Sequence, residues 1–246
     1  MKRSRLRSVA WCGALVLAAA AGGPCSAAAV RSDPARYWKG GVVPCVIDPS
    51  IAHPDAILKA MRAWEAAGIR FPKRTREADY VVFTLDARAK HRPQRPDEDE
   101  AAMAGAVSAV GRIGGRQEIV AAGDDVPWWR WAHEIGHTLG LFHEHLRNDR
   151  DRWVTIHWEN IAPPARHNFE IKRGKTFDLG SFDAESIMLY TWNQNAVDRT
   201  RPTITLNARP AFHDFGAMVV QKLSAGDVAA VRRLYFEGGI HELRRR

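Results

Sequence analysis

The sequence predicts an α+β fold, with strands and helices mixed in the first half of the chain and less regular structure in the second. β-rich segments occur at 42–47, 78–85 and 117–122. Two further segments of the first half carry apolar residues at helical spacing. Beyond residue 150, turn-forming residues dominate until a final predicted helix over 223–236. This pattern predicts a sheet-and-helix part followed by an irregular part.

The first 29 residues have the composition of a signal peptide. A basic start, MKRSRLR, precedes the apolar run VAWCGALVLAAAA, and the small side chains of Ala27 and Ala29 suit a signal peptidase. We therefore expect residues 1–29 to be removed, the mature chain to start near Val30, and the protein to be secreted or periplasmic. The apolar run is too short to cross a bilayer, so we expect no membrane span.

Length and charge restrict the function of the mature chain. The chain has 246 residues, 46% of them hydrophobic, and residues 30–246 are enough for one domain with a substantial core. The formal charge of +8 falls to +4 without the leader, which contains four basic residues and no acidic ones. This mild charge and the lack of a recognisable nucleic-acid motif predict no nucleic-acid partner.

Cysteine use argues against a disulfide-stabilised fold. Cys12 and Cys25 fall in the leader, which leaves Cys45 alone in the mature chain. Cys45 lies in the strand-like VVPCVID, where we expect a small buried apolar side chain rather than a nucleophile. Packing alone should therefore stabilise the protein.

The first predicted helix spans PDAILKAMRAWEAAG, residues 54–68. It places Ile57, Met61 and Trp64 on one face, between an initial proline and a final glycine. We expect these three side chains in the core. The charged, proline-containing segment 87–100 is expected to be a surface loop.

A second helix carries the most informative stretch, WAHEIGHTLGLFHEH at 131–145. On a helix, His133 and His137 lie about 40° apart on one face and about 6 Å apart along the axis, so both imidazoles can reach one ion. Glu134 is one residue further round the helix. Its carboxylate can take a proton from a water held by that ion without binding the ion itself.

A third histidine ligand requires this helix to end. In a continued helix, His143 would lie about 15 Å from His133, too far to share an ion with bonds near 2 Å. Gly140 can adopt the left-handed conformation that ends the helix and turns the chain back with His143. His145 is a rival ligand, but the spacing H-E-x-x-H-x-x-G-x-x-H favours His143. Three neutral nitrogens leave a fourth position for water, as in catalytic zinc sites.

Motifs that accompany the histidines cover most of the mature chain. They are HEIGHTLGLFHEHLRNDRDRWVTI, YWKGGVVP, AWEAAGIRFPKRTREADYVVF, VGRIGG, SIMLY and LSAGDVAAVRRLY. Together they resemble the astacins, a family of metzincin zinc endopeptidases. The resemblance implies a zincin-like fold with an N-terminal twisted mixed sheet, two long helices and an irregular C-terminal half that ends in a helix. The active-site cleft would lie between subdomains at about 30–140 and 141–246.

The resemblance also implies roles for two residues of SIMLY. Met188 would form the Met-turn, an apolar floor under the zinc ligands. Tyr190 matches the tyrosine that in astacins binds the resting zinc and then swings to support the tetrahedral intermediate, since a phenol can donate to an oxyanion. Leu189 departs from the family pattern, which usually has histidine at this position.

Two further departures concern disulfides and activation. The family's two disulfides have no matching cysteines here, and only a leader's length precedes YWKGG, where most astacins carry a propeptide. In the family, the mature amino terminus is buried near the glutamate that follows the third ligand, here Glu144. We therefore hypothesise that signal cleavage near Ala29 completes the site.

The predicted function is hydrolysis of internal peptide bonds in protein or peptide substrates by a secreted monomer with one Zn²⁺ per chain. Zinc would polarise the scissile carbonyl and lower the pKa of its bound water, and Glu134 would transfer the water's proton to the leaving amine. Two alternatives stay open. One is a zinc amidase for non-protein amides such as cell-wall crosslinks, and the other is a non-catalytic binding module on a peptidase scaffold.

Overall fold

The computed structural model describes residues 27–87, 100–103 and 106–244. Its strands are β1 (Ala27–Arg31), β2 (Cys45–Ile47), β3 (Tyr80–Leu85), β4 (Glu100–Met103), β5 (Ala106–Ala109), β6 (Arg116–Ala121), β7 (Val154–Ile156), β8 (Thr176–Gly180) and β9 (Ile204–Leu206). Its helices are α1 (Asp55–Glu65), α2 (Trp128–Thr138), α3 (Ala217–Val220), α4 (Ala225–Phe236) and α5 (Gly239–Arg244).

The N-terminal part is built on a mixed five-stranded sheet with the order β2-β3-β6-β5-β4. Strands β2, β3 and β6 are parallel, whereas β5 and β4 continue the sheet in antiparallel pairs. Residues 81–83 of β3 are buried, which suits a β-branched and aromatic strand in the interior of a sheet.

Helix α2 contacts both the sheet and α1. Trp131 of α2 meets Phe83 of β3 edge to face, with ring centroids 5.9 Å apart. On the other side, the indole N–H of Trp64 in α1 donates to the Ala132 carbonyl at 2.8 Å. The predicted core face of α1 is confirmed, because Ile57, Met61 and Trp64 are all buried. These contacts make α2 a central, largely buried helix.

The C-terminal part contains short 3-10 turns and two small antiparallel sheets, β7 with β9 and β1 with β8. Strand β1 therefore connects the start of the described chain to the C-terminal part. Helix α4 begins with a capping box, in which Ser224 and Asp227 each accept a hydrogen bond from the other's backbone N–H. Within the part of the chain that the structure describes, none of the helices has the length and apolar character needed to cross a bilayer.

The sequence predicts three of these strands and misses the others. Strands β4 and β5 are rich in alanine, which has low strand propensity, and β1 begins inside the predicted leader. Strand β2 starts at Cys45 rather than at residue 42, because Pro44 has no N–H for the ladder. Cys45 is free and buried, as expected. Residues 1–26 of the predicted leader and residues 88–99 of the predicted loop over 87–100 lie outside the described residues, and Glu100, the last residue of that loop, begins β4.

Candidate active site

Three histidines bring their Nε2 atoms together where α2 ends. His133 Nε2 lies 3.0 Å from His137 Nε2 and 3.2 Å from His143 Nε2. All three side chains are buried, and their potential ligand atoms lie within 4.8 Å of one another. The helix places His133 and His137 one turn apart on one face, as their spacing predicts.

Gly140 brings the third histidine to the first two. Its φ of +98° is in the left-handed region, and the chain turns there so that the Leu141 N–H donates to the Gly136 carbonyl at 3.0 Å. A Cβ atom at position 140 would lie 2.5 Å from Cε1 of Tyr37. Both the backbone conformation and the close approach of Tyr37 therefore require glycine. The predicted helix end is confirmed.

Hydrogen bonds orient two of the imidazoles for metal binding. Nδ1 of His133 lies 2.7 Å from the Ile187 carbonyl, and Nδ1 of His137 lies 2.8 Å from the Leu141 carbonyl. A carbonyl can only accept, so each Nδ1 carries the proton and each Nε2 keeps a free lone pair. Burial lowers the pKa of His133 to about 4, and it lowers the pKa of His137 and of His143 well below the usual value. The neutral rings are therefore in the form that binds metals.

The three nitrogens fit a zinc ion. Tetrahedral zinc with bonds of about 2.0–2.1 Å to three imidazoles holds the nitrogens about 3.3–3.4 Å apart. The observed separations of 3.0 and 3.2 Å are close to this spacing. Two of the rings also have the outer hydrogen bond to a carbonyl that is typical of metal-bound histidine.

Two further buried side chains have polar atoms that no described group satisfies. Both carboxylate oxygens of Glu134 and the hydroxyl of Tyr190 lack a hydrogen-bond partner among the described residues. The Tyr190 ring lies 4.3 Å from that of His143. Burial raises the pKa of Glu134 well above its usual value, and burial together with the Glu134 charge raises the pKa of Tyr190. Buried polar groups without partners are rare, so these two side chains are candidates for contact with a bound molecule.

His145 lies beside the histidine cluster rather than in it. Its Nε2 pairs with the Asn168 carbonyl at 3.1 Å, and its ring stacks 5.5 Å from that of His143. Of the two rival third ligands, the geometry therefore favours His143.

The segment that contains Met188 packs directly under α2. A Cβ atom at Gly136 would lie only 2.6 Å from Met188 Sδ, so this glycine lets the methionine side chain reach the helix. Met188 is 1% exposed. Its neighbour Leu189 is buried in the C-terminal hydrophobic cluster and adds no polar group beside Tyr190.

A family model described as Astacin, a family of peptidases, matches residues 30–236. The chain belongs to the astacin family. It is 35% identical to Tolloid-like protein 2 from Mus musculus over 215 residues, which cover 84% of this chain and 20% of that protein. It is 31% identical to Astacin-like metalloprotease toxin 1 from Loxosceles intermedia, covering 81% of this chain and 71% of that protein. The chain thus spans about a fifth of the length of its Tolloid-like relatives.

A solved astacin-type structure agrees with this assignment. High choriolytic enzyme 1, a hatching enzyme zinc-protease from Oryzias latipes, superposes with a TM-score of 0.66 at 29% identity. The match covers 82% of this chain and 96% of that one. Together with the family model, it confirms the predicted metzincin fold, and His133, His137 and His143 form a cluster that could hold the metal ion of a zinc peptidase of this family.

Glu144, which follows His143, is hydrogen-bonded to the start of the described chain. The Ala29 N–H donates to Oε2 of Glu144 at 3.2 Å, and the Asp183 N–H donates to Oε1 at 3.0 Å. Burial raises the pKa of Glu144 to about 8, although the guanidinium of Arg147, 3.7 Å away, acts in the opposite direction. Glu144 thus lies where the resemblance implies, next to β1.

Two residues of this astacin site are missed by the sequence analysis. Gly136 could have been noticed in the sequence. Glycine inside a helix lowers stability by about 1 kcal/mol relative to alanine, so its presence there indicates a packing or functional requirement. Ile187 could not have been noticed, because it acts through its carbonyl group, which every residue type has. A backbone contact between positions 133 and 187 depends on the fold.

Proposed function

We propose that the chain is a zinc-dependent endopeptidase that hydrolyses internal peptide bonds of protein or peptide substrates. In this proposal, His133, His137 and His143 hold the zinc ion. The observation that carries it is the convergence of three neutral, buried Nε2 atoms beside a buried glutamate with unsatisfied oxygens. Such a set of groups is typical of hydrolytic zinc sites.

In the proposed mechanism, Glu134 and Tyr190 act on the reacting groups. Zinc, when bound, polarises the scissile carbonyl and lowers the pKa of water at the site. Glu134 takes the proton of the attacking water and passes it to the leaving amine. The surroundings of Glu134 support this role, because both of its carboxylate oxygens are buried and have no hydrogen-bond partner among the described residues. The hydroxyl of Tyr190, which has no other described partner, donates to the oxyanion of the tetrahedral intermediate.

Replacing Glu134 tests this proposal. In Glu134→Gln, kcat should fall by about 10²- to 10⁴-fold, because the amide cannot accept a proton. Zinc content, measured by elemental analysis, should stay at one ion per chain. Glu118→Gln changes a partly exposed glutamate of β6 and serves as the matched control. Retained activity in Glu134→Gln would refute the assigned role.

The substrate class is tested separately from the chemistry. New amino termini in a digest of denatured proteins, mapped with and without a zinc chelator, should lie inside the substrate chains and vanish with the chelator. Turnover of cell-wall fragments without any protein cleavage would favour the amidase alternative.

We also propose that residues 1–29 are a signal peptide, that 30–246 form the catalytic domain, and that this domain acts as an exported monomer. Because the Ala29 N–H lies beside Glu144, cleavage in this part of the chain would bring the new terminal amine close to a buried carboxylate, which supports the hypothesis that cleavage completes the site. Recovered extracellular protein should begin near Val30. An intact Met1 would contradict the signal peptide. Equal activity in a form that keeps additional residues before Val30 would contradict the role of cleavage in completing the site.

A further inference from the structure

Asp227, far from the histidines in sequence, is bonded to the segment under the metal centre. Its buried carboxylate accepts three hydrogen bonds, two of them from that segment. The Ser186 hydroxyl donates to Oδ1 at 2.6 Å, and the Ile187 N–H donates to Oδ2 at 2.9 Å. A charged residue of the last long helix therefore anchors the two residues before Met188.

From Asp227, a continuous chain of hydrogen bonds leads to a proposed zinc ligand. Nδ1–H of His133 donates to the Ile187 carbonyl at 2.7 Å. The N–H of the same peptide unit, contributed by Met188, donates to Ser186 Oγ at 3.0 Å. The Ser186 hydroxyl in turn donates to the Asp227 carboxylate. All the donors point the same way, from the imidazole through one peptide group and one hydroxyl to a carboxylate.

This direction has a chemical consequence for the imidazole. Each bond in a chain polarises the next, so a carboxylate at the end makes the Ile187 carbonyl a stronger acceptor. A stronger acceptor at Nδ1 fixes the ring and increases the basicity of Nε2, as the outer carboxylate does in a carboxylate–histidine–zinc arrangement. His137 has a different outer partner, the carbonyl of Leu141, which lies only four residues away in the turn after α2. Its orientation is therefore set locally.

We infer that Asp227 is a positioning residue for the metal centre, which orients His133 through Ser186 and the Ile187–Met188 peptide. The inference rests on the proposed role of His133 as a zinc ligand. Burial raises the pKa of Asp227 to about 6, against the effect of its hydrogen bonds, and this leaves the carboxylate charged at neutral pH.

A purely structural role for Asp227 has to be separated from this one. Asp227 also belongs to the capping box of α4, in which it exchanges hydrogen bonds of 2.8 and 2.9 Å with Ser224. The two serine hydroxyls contact Asp227 differently. Ser186 donates to its carboxylate on the path to His133, whereas Ser224 accepts a hydrogen bond from its backbone N–H at the helix end and donates to Asp183. Ser186→Ala breaks the path and leaves the cap, whereas Ser224→Ala removes the cap hydroxyl and leaves the path.

The experiment compares zinc binding and stability in these variants of the full chain. Competition with a chromophoric chelator gives the zinc dissociation constants. The absorption spectrum of the Co²⁺ form reports the ligand field, and the thermal midpoint of the metal-free protein reports stability. Ser186→Ala and Asp227→Asn should weaken zinc binding by about 10- to 100-fold and alter the Co²⁺ spectrum. Ser224→Ala should lower the thermal midpoint and leave the zinc affinity and the spectrum unchanged.

Two results would overturn the inference: wild-type zinc affinity in Ser186→Ala, or an equal loss of affinity in Ser224→Ala. If Asp227→Asn fails to fold, Ser186→Ala still decides the matter, because it leaves the carboxylate and the helix cap in place. Failure of the proposed function can be distinguished from failure of this inference. If the proposed function is wrong, the wild-type protein binds no zinc, or His133→Ala binds zinc with wild-type affinity. That result would overturn the inference as well.

Discussion

At the scale of single residues, Gly136 shows how a packing requirement overrides helix propensity. Alanine would stabilise an exposed helix by about 1 kcal/mol relative to glycine. At this position, however, a Cβ atom would lie 2.6 Å from Met188 Sδ and 3.2 Å from Cζ2 of Trp64. Both neighbours are buried, so neither can swing into solvent. Helix α2 can therefore lie this close to the segment that contains Met188 only because glycine has no side chain.

Gly136→Ala should destabilise the protein in spite of its better propensity. Overpacking of a buried contact costs about 1–3 kcal/mol, which exceeds the propensity gain through most of that range. Urea unfolding of Gly136→Ala, Met188→Ala and the double variant measures the effect. Because removing the Met188 side chain makes room for the new methyl group, the double variant should lose less stability than the sum of the single variants. Strict additivity would contradict this explanation.

At the scale of elements, the end of α2 decides whether a metal site can form. Helix α2 alone supplies only two of the three proposed zinc ligands, and the third comes from the chain after Gly140. The left-handed glycine, the return hydrogen bond from Leu141 to Gly136 and the Tyr37 ring together fix the path of that chain. The end of the helix therefore determines where the third proposed ligand lies.

Gly140→Ala should therefore cost more than the strain of a left-handed residue. Gly174→Ala is a matched control, because Gly174 also has a positive φ, of +78°, but nothing lies within 4 Å of the place that its Cβ would occupy. The control should lose about 1–2 kcal/mol in the free energy of unfolding. Gly140→Ala should lose more and also bind zinc more weakly, since Tyr37 or the turn before His143 must move. Equal losses in both variants, with unchanged zinc affinity, would disprove the role of the Tyr37 contact.

At the scale of the whole molecule, packing and the metal site replace disulfides. One hydrophobic cluster joins the sheet, α1, α2 and α4, and a second fills the C-terminal part. Cys45 is a free, buried thiol, and burial raises its pKa to about 11. The proposed zinc ligands come from α2 and from the chain after it, so a bound ion would add a link between these two segments.

Reductant and chelator should consequently have different effects on stability. Dithiothreitol should leave the thermal midpoint of the mature protein unchanged, because no bond in the described fold is open to reduction. A chelator should lower the midpoint, because zinc binds the folded chain and stabilises it in proportion to the logarithm of its concentration over Kd. Calorimetry of the same preparation with each reagent measures both effects. A midpoint that collapses with dithiothreitol, or one that ignores the chelator, would contradict this account.

Local spacing was sufficient to predict much of the site. The pair His133 and His137, the glutamate between them and the stop at Gly140 depend on helix geometry over a dozen residues, so periodicity reveals them. The core face of α1 and the capping box of α4 follow from the same kind of local rule. The resemblance to astacins supplied Tyr190 and Met188, which no local pattern distinguishes from core residues.

Contacts between distant segments were decided only by the tertiary structure. Alanine-rich β4 and β5 are strands because of the sheet they join, and Ile187 supports His133 from 54 positions away through a backbone atom. Asp227 resembles an ordinary helix cap until the fold brings it beside Ser186. Helical periodicity is a property of neighbours along the chain, and a sequence displays it directly. Support of a metal ligand by a remote carbonyl or carboxylate is a property of packing, and it exists only once the chain has folded.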